Sequence, residues 1–169
     1  MNLPRQLMDM NAFGGGQSFL GECLSFTRPK IAMAMEEYRG GGMPGPVELA
    51  VGLQLIEVTH KYGGDMPALN NEFGAAEVDA SQLRWVGSYQ NQATAELDNV
   101  EIVVRGRHKE IDSGDDEVGS KSGTTYKTTC AYYKQVRNGV VEFEIDMLGA
   151  VFIVNGVDRW ADIRAHTRG

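Results

Sequence analysis

The sequence predicts a mainly β protein: two antiparallel sheets forming a sandwich or barrel, with a short flanking helix and a second short helix at the C-terminus. Three observations carry that prediction. Strand-forming runs over 126–136 and 140–145 flank Asn138-Gly139, a pair that tolerates the positive φ angles of a tight hairpin turn. In the second run Val141, Phe143 and Ile145 alternate with Glu142, Glu144 and Asp146, so period two gives one apolar face and one acidic face. Glycine and proline clusters separate about seven strand-like runs along the chain, as in antiparallel folds with short connections. A lone hairpin buries too little to offset its ordering entropy, so the other strands must complete its sheet.

Taken in order, residues 1–16 read as an extended N-terminal arm, because Pro4 and Gly14-Gly15-Gly16 break any regular element. Residues 17–169 read as one domain. The run 17–26 is strand-like, and 31–38 is a second strand with Ile31, Met33 and Met35 on one face. The stretch 39–46, RGGGMPGP, can only be a loop; it lacks the Gly-Lys-Ser/Thr of a phosphate cradle. Val47, Leu49, Val51, Leu53 and Leu55 alternate, which predicts one long strand over 47–62, ended by Gly63-Gly64. Asp65 is the expected cap of a helix over 66–73, with Pro67 in its first turn and Gly74 just past its end. Strands are predicted over 82–97 and 100–111, an acidic exposed loop over 112–123, and a strand over 151–154. A second Asn-Gly turn, at Asn155-Gly156, precedes a helix expected over 157–166.

At 169 residues with 42% hydrophobic residues the chain is one domain with enough apolar content for a core. The count of 16 basic against 23 acidic residues, a formal charge of -7, argues against a basic surface that neutralises nucleic-acid phosphates. Two cysteines, Cys23 and Cys130, are too few for a disulfide framework and read as reduced thiols in strands. No apolar run is long enough for a signal peptide or a membrane anchor, so the expected site of synthesis and folding is the cytoplasm.

Catalytic signatures are absent. His60, His108 and His166 are scattered, no HExxH or Gly-x-Ser-x-Gly occurs, and the acids at 112–117 do not match a calcium loop. The Glu142, Glu144, Asp146 row suits glycoside cleavage only if other groups complete a cleft, and it equally suits a solvated strand face. No metal, cofactor or catalytic residue is therefore assigned.

Several blocks, in one order, resemble the major tail tube protein of contractile-tailed phages, a family shared with R-type pyocin tubes. They are LPRQLMDMNAF at 3–13, Pro29-Lys30, EEYRGGGMPGPV at 36–47, Gly87-Ser88-Tyr89, RGRHKEIDSGD at 105–115, Tyr132-Tyr133-Lys134, EFEID at 142–146 and VNGVDR at 154–159. The resemblance implies a structural subunit that is not an enzyme. It implies homohexameric rings stacked into a hollow tube, with sheets of neighbouring subunits joined in a ring-wide barrel. The implied partners are further copies of the chain, a sheath outside, tape-measure protein and transiting DNA in the lumen, and baseplate and tail-terminator proteins at the ends. The implied location is a virion tail. An acidic lumen would let a polyanion slide instead of stick. On that reading Glu36, Glu48, Glu101, Glu142, Glu144 and Asp146 are candidates for lumen or ring-edge charge. Leu3, Pro4, Arg39, Gly40, Gly41, Gly42, Met43 and Pro44 are candidates for contacts between stacked rings. The competing readings are the tube of a tailocin or type VI-like secretion system and, from another class, a monomeric β-sandwich binding module or glycan hydrolase.

Overall fold

The computed structural model describes all residues, Met1 to Gly169. Ten strands form one antiparallel sheet, two form a separate ribbon, and two short helices complete the chain. The organising strand is β9 (Thr124–Arg137). Along one edge it pairs with β8 (Leu97–Asp112); along the other, its first half pairs with β6 (Ile56–Tyr62) and its second half with β10 (Val140–Asp146). The predicted β9–β10 hairpin is present, with Asn138 at φ 50° and Gly139 at φ 79°.

From β9 the sheet runs one way through β8, β7 (Ser81–Asn91) and β1 (Arg5–Gly14) to β2 (Gln17–Ser18). On the other side it runs through β10 to β11 (Val151–Val154) and β12 (Val157–Asp158), with a separate branch through β6 to β3 (Cys23–Thr27). The sheet curls on itself. Phe26 of β3 stacks on Trp85 of β7 with ring centroids 5.2 Å apart, although β6, β9 and β8 lie between those strands. Inward alternation fills the space with Val58, Tyr62, Leu83, Trp85, Val100, Ile102, Val104, Tyr126 and Tyr133, all buried. No ladder closes the curl, so a single chain contains no closed barrel.

Several boundaries differ from the sequence reading, each for a local reason. The supposed arm is mostly β1: Arg5–Gly14 pairs along β7, leaving only Met1–Pro4 outside the sheet. Gly15 and Gly16, at φ 57° and 76°, form the turn that lets β2 fold back on β1. The predicted strand 17–26 is broken by a turn at Gly21 (φ 84°) into β2 and β3. The long strand 47–62 is two strands, β5 (Val47–Leu53) and β6, because the apolar parity switches from odd to even positions at Leu55-Ile56. The helix expected over 66–73 is one turn, α1 (Pro67–Asn70), continued by tighter bonds from Glu72 N to Leu69 O and Phe73 N to Asn70 O. Asp65 does not cap it; its carboxylate accepts from the Asn70 amide at 2.9 Å. Strand β7 stops at Asn91, whose side chain accepts from the Ala93 amide at 2.8 Å and starts a turn. The final helix, α2 (Ala161–Arg168), begins later than expected because Asn155-Gly156 folds Val157-Asp158 back onto β11.

Where β9 bulges at Ala131, opposite Arg105 and Gly106 of β8, the backbones come very close. A Cβ on Gly106 would lie 1.7 Å from the Thr129 carbonyl oxygen, a contact no rotamer can relieve. Gly106→Ala is expected to cost about 2–3 kcal/mol, read as a lowered urea midpoint at unchanged slope.

Candidate assembly surfaces

Strands β4 (Met33–Tyr38) and β5 pair only with each other, in a ribbon that no other strand joins. Both of its faces are open. Tyr38, Val47 and Leu49 share one face, Met35 lies on the other, and all four are about half exposed, as are Met33 and Val51. An isolated ribbon with apolar side chains on both faces is marginal in water, so this one is built to be covered. At its base, Val51, Leu53, Phe152, Trp160 and Ile163 line an apolar groove between β5 and α2.

The tip of the ribbon, 39–44, is a closed turn. Met43 N donates to Gly40 O at 3.3 Å, Arg39 Nε donates to Met43 O at 3.3 Å, and Gly42 takes φ 84°. Leu3 and Pro4 lie elsewhere, leading into β1 beside the end of β7. The proposed inter-ring residues therefore form two separate groups. On β1, beyond Leu3 and Pro4, the exposed side chains of Leu7 and Met8 line a shallow groove with Leu20, a second exposed apolar set.

The six candidate carboxylates also separate. Glu36 and Glu48 sit on the ribbon, where Glu48 is directly opposite Glu37 and Glu36 opposite Leu49. Glu101 is neutralised by Arg84 at 2.8 Å. A bulge between Val141 and Phe143 takes Glu142 out of the expected row, and it meets Arg137 and Gln135 instead. Glu144 accepts from the Tyr132 hydroxyl at 3.0 Å; burial first, and that bond second, push this phenol up to about 12. Asp146 accepts from the Leu148 and Gly149 amides at 3.1 and 2.9 Å, shaping the turn into β11. No three of the His, Cys, Asp and Glu side chains converge as a metal site. Burial raises the thiols of Cys23 and Cys130 to about 11 and about 12, so both stay protonated and unreactive at neutral pH.

The buried polar core is what sequence reading missed. His60 and His108 looked scattered, yet both hydrogen-bond Thr128 Oγ1, at 2.9 and 2.8 Å. The available signal was parity: His60 shares its inward positions with Val58 and Tyr62.

A half-exposed apolar ribbon of this kind marks a surface suited to protein contacts. The family model described as phage tail tube protein FII matches residues 4–167. The chain belongs to that family. It is 38% identical over 162 residues to the tail tube protein of Escherichia phage P2, covering 94% of each chain. It is 30% identical over 164 residues to the major tail tube protein of Serratia phage KSP20, covering 96% of this chain and 94% of the other. The fold is shared with the sheath/tube terminator of an extracellular contractile injection system at TM-score 0.59, 14% identity, and coverage of 80% and 99%. It is also shared with the tube-terminating cap of the anti-feeding prophage at TM-score 0.58, 15% identity, and coverage of 80% and 93%. This chain is thus a phage tail tube family member, and the relatives it matches are tail tube proteins, not enzymes. The monomeric hydrolase reading falls with that assignment.

Proposed function

We propose that this chain is the repeating subunit of a hollow tail tube, assembled as homohexameric rings that stack inside a contractile sheath and end at a terminator. The observation that carries the proposal is the β4–β5 ribbon, apolar on both faces and unpaired with the rest of its own chain. In a ring or stack, neighbouring subunits cover such a ribbon and pair its open edges. The tip residues Arg39, Gly40, Gly41, Gly42, Met43 and Pro44, with Leu3 and Pro4, make the contacts between rings. Because the tip is already a closed turn, docking it costs little ordering entropy. The curled sheet, open in one chain, joins its neighbours in a ring-wide barrel whose lumen passes tape-measure protein and then DNA.

Glu36, Glu48, Glu101, Glu142, Glu144 and Asp146 supply lumen or ring-edge charge. The arginine pairs at Glu101 and Glu142 keep those two positions nearly neutral, while Glu36 and Glu48 stay uncompensated within one chain. A net charge of -7 per subunit disfavours retention of a moving polyanion. The test is negative-stain electron microscopy of the purified chain beside its light-scattering mass. Rings or tubes with six-fold end views are expected; a chain that stays monomeric even when seeded with tube fragments overturns the proposal.

A further inference from the structure

The chain carries one tripeptide twice, Asn138-Gly139-Val140 and Asn155-Gly156-Val157, and each copy closes a tight hairpin. The two backbones are alike: Asn138 and Asn155 both take φ 50°, and Gly139 and Gly156 take φ 79° and 83°. Both turns are exposed, and a Cβ on either glycine would meet nothing within 4 Å, so solvent reaches both glycine nitrogens. The asparagine side chains differ. Asn138 Oδ1 accepts from the Asn99 amide at 2.9 Å, and Asn138 Nδ2 donates to Asp98 Oδ1 at 3.0 Å. Asp98 is itself buried and held by Arg5 at 2.8 Å. Asn155 is tied only through its backbone amide, which donates to Glu142 O at 2.8 Å; its carboxamide is exposed and makes no hydrogen bond.

We propose that Asn155 is a spontaneous modification site of the folded chain, where asparagine converts to aspartate and isoaspartate, and that the Asp98-Asn99 clamp protects Asn138 from the same reaction. Glycine has no side chain to shield the amide nitrogen that follows the asparagine. The Gly156 amide gives its proton to hydroxide, and its nitrogen attacks Asn155 Cγ. The N–Cγ bond forms, the Cγ–Nδ2 bond breaks, and Nδ2 takes a proton from water and leaves as ammonia. Water then opens the succinimide ring. Cleavage between the ring nitrogen and Cγ gives aspartate, and cleavage between that nitrogen and the backbone carbonyl carbon gives isoaspartate. Either way an amide and water have become a carboxylate and ammonia, with no oxidation or reduction. At Asn155 the turn need only flex to bring Cγ to the nitrogen. At Asn138 the carboxamide must first leave both of its partners, so only the opened fraction of molecules reacts.

Isoaspartate adds one backbone carbon to the turn, which can then no longer hold Val154 opposite Val157. That pairing sets the approach to α2, where Arg159 N donates to Phe152 O at 2.7 Å and Arg164 bonds Asp158 at 2.7 Å and Ala150 O at 2.8 Å. The change at Asn155 therefore reaches the wall of the apolar groove formed by Trp160 and Ile163.

The test incubates the unassembled full chain at mildly alkaline pH and follows conversion by peptide mass; cleavage after Glu142 and Glu144 separates the two sites. In native buffer Asn155 is expected to convert at least about tenfold faster than Asn138. In urea that unfolds the chain, the two rates should come within about threefold of each other, because both sites read Asn-Gly-Val. Equal rates in native buffer, or a tenfold gap that persists in urea, overturn the proposal. Asp98→Ala removes one partner of Asn138 and should raise conversion there severalfold while leaving Asn155 unchanged; an unchanged Asn138 rate overturns the clamp. Should that variant fail to fold, the native and urea rates of the parent chain still decide.

Discussion

A Leu49→Asp, Val51→Asp double variant is expected to remain a folded monomer under conditions where the parent chain forms tubes. Both side chains are about half exposed on a ribbon that makes no strand pairing with the body, so neither contributes to the core of the isolated subunit. Exposed substitutions of this kind change folding stability by about 0.5 kcal/mol or less. At a subunit contact the same two carboxylates would be buried without cations, against Glu36 and Glu48 already on the ribbon, at several kcal/mol for each subunit. Stacking multiplies that cost around every ring, so assembly should be lost and not merely weakened. Circular dichroism and light scattering read the two halves of the result. A variant that still makes tubes removes the ribbon from the interface, and one that unfolds shows that it supports the core.

The turns were legible because each rests on a residue pair with its own backbone preference. Asn138-Gly139 and Asn155-Gly156 both take positive φ and both close hairpins. Strand β1 was hidden by a bulge between Leu7 and Asp9, which puts Leu7 and Met10 on the same side and destroys the alternation that would have announced it. The same device misled the reading of the acidic row, since the bulge before Phe143 turns Glu142 toward Arg137. By contrast, the break between β5 and β6 is written in the sequence as a parity change, from odd apolar positions through Leu55 to even ones from Ile56. Which apolar side chains the chain leaves exposed is a property of the fold and not of local sequence. Val47 and Leu49 look like any half-buried strand until the fold shows them about half exposed on a ribbon that no other strand joins.

Deleting residues 1–16 would not isolate an arm, because it would remove all of β1 from the sheet. Deleting Met1–Pro4 alone leaves the ladder intact and probes Leu3 and Pro4 as ring contacts. Ring stacking should be weakened while the subunit stays folded, seen as shorter tubes at equal protein concentration.

Acid should destabilise the subunit chiefly through His60. Burial first and the neighbouring His108 second hold its imidazole at about 3, against an ordinary value of 6.5. The folded state therefore keeps His60 neutral while the unfolded chain takes up a proton, so stability is fully present above about pH 6.5 and is lost as pH falls toward 3. From about pH 7 to about pH 4.5 the loss is about 2–3 kcal/mol, since each unit below the unfolded value costs about 1.4 kcal/mol. Carboxylates contribute to the same fall, so the comparison must isolate the imidazole. His60→Gln keeps a donor and an acceptor near Tyr62 and Thr128 but does not titrate, and it should begin less stable at neutral pH and lose about 2–3 kcal/mol less on acidification. Urea unfolding of both forms in the Leu49→Asp, Val51→Asp background measures this without interference from assembly. Parallel pH profiles would mean that His60 protonates in place without unfolding the core, and that the packing around Thr128 is looser than its hydrogen bonds indicate.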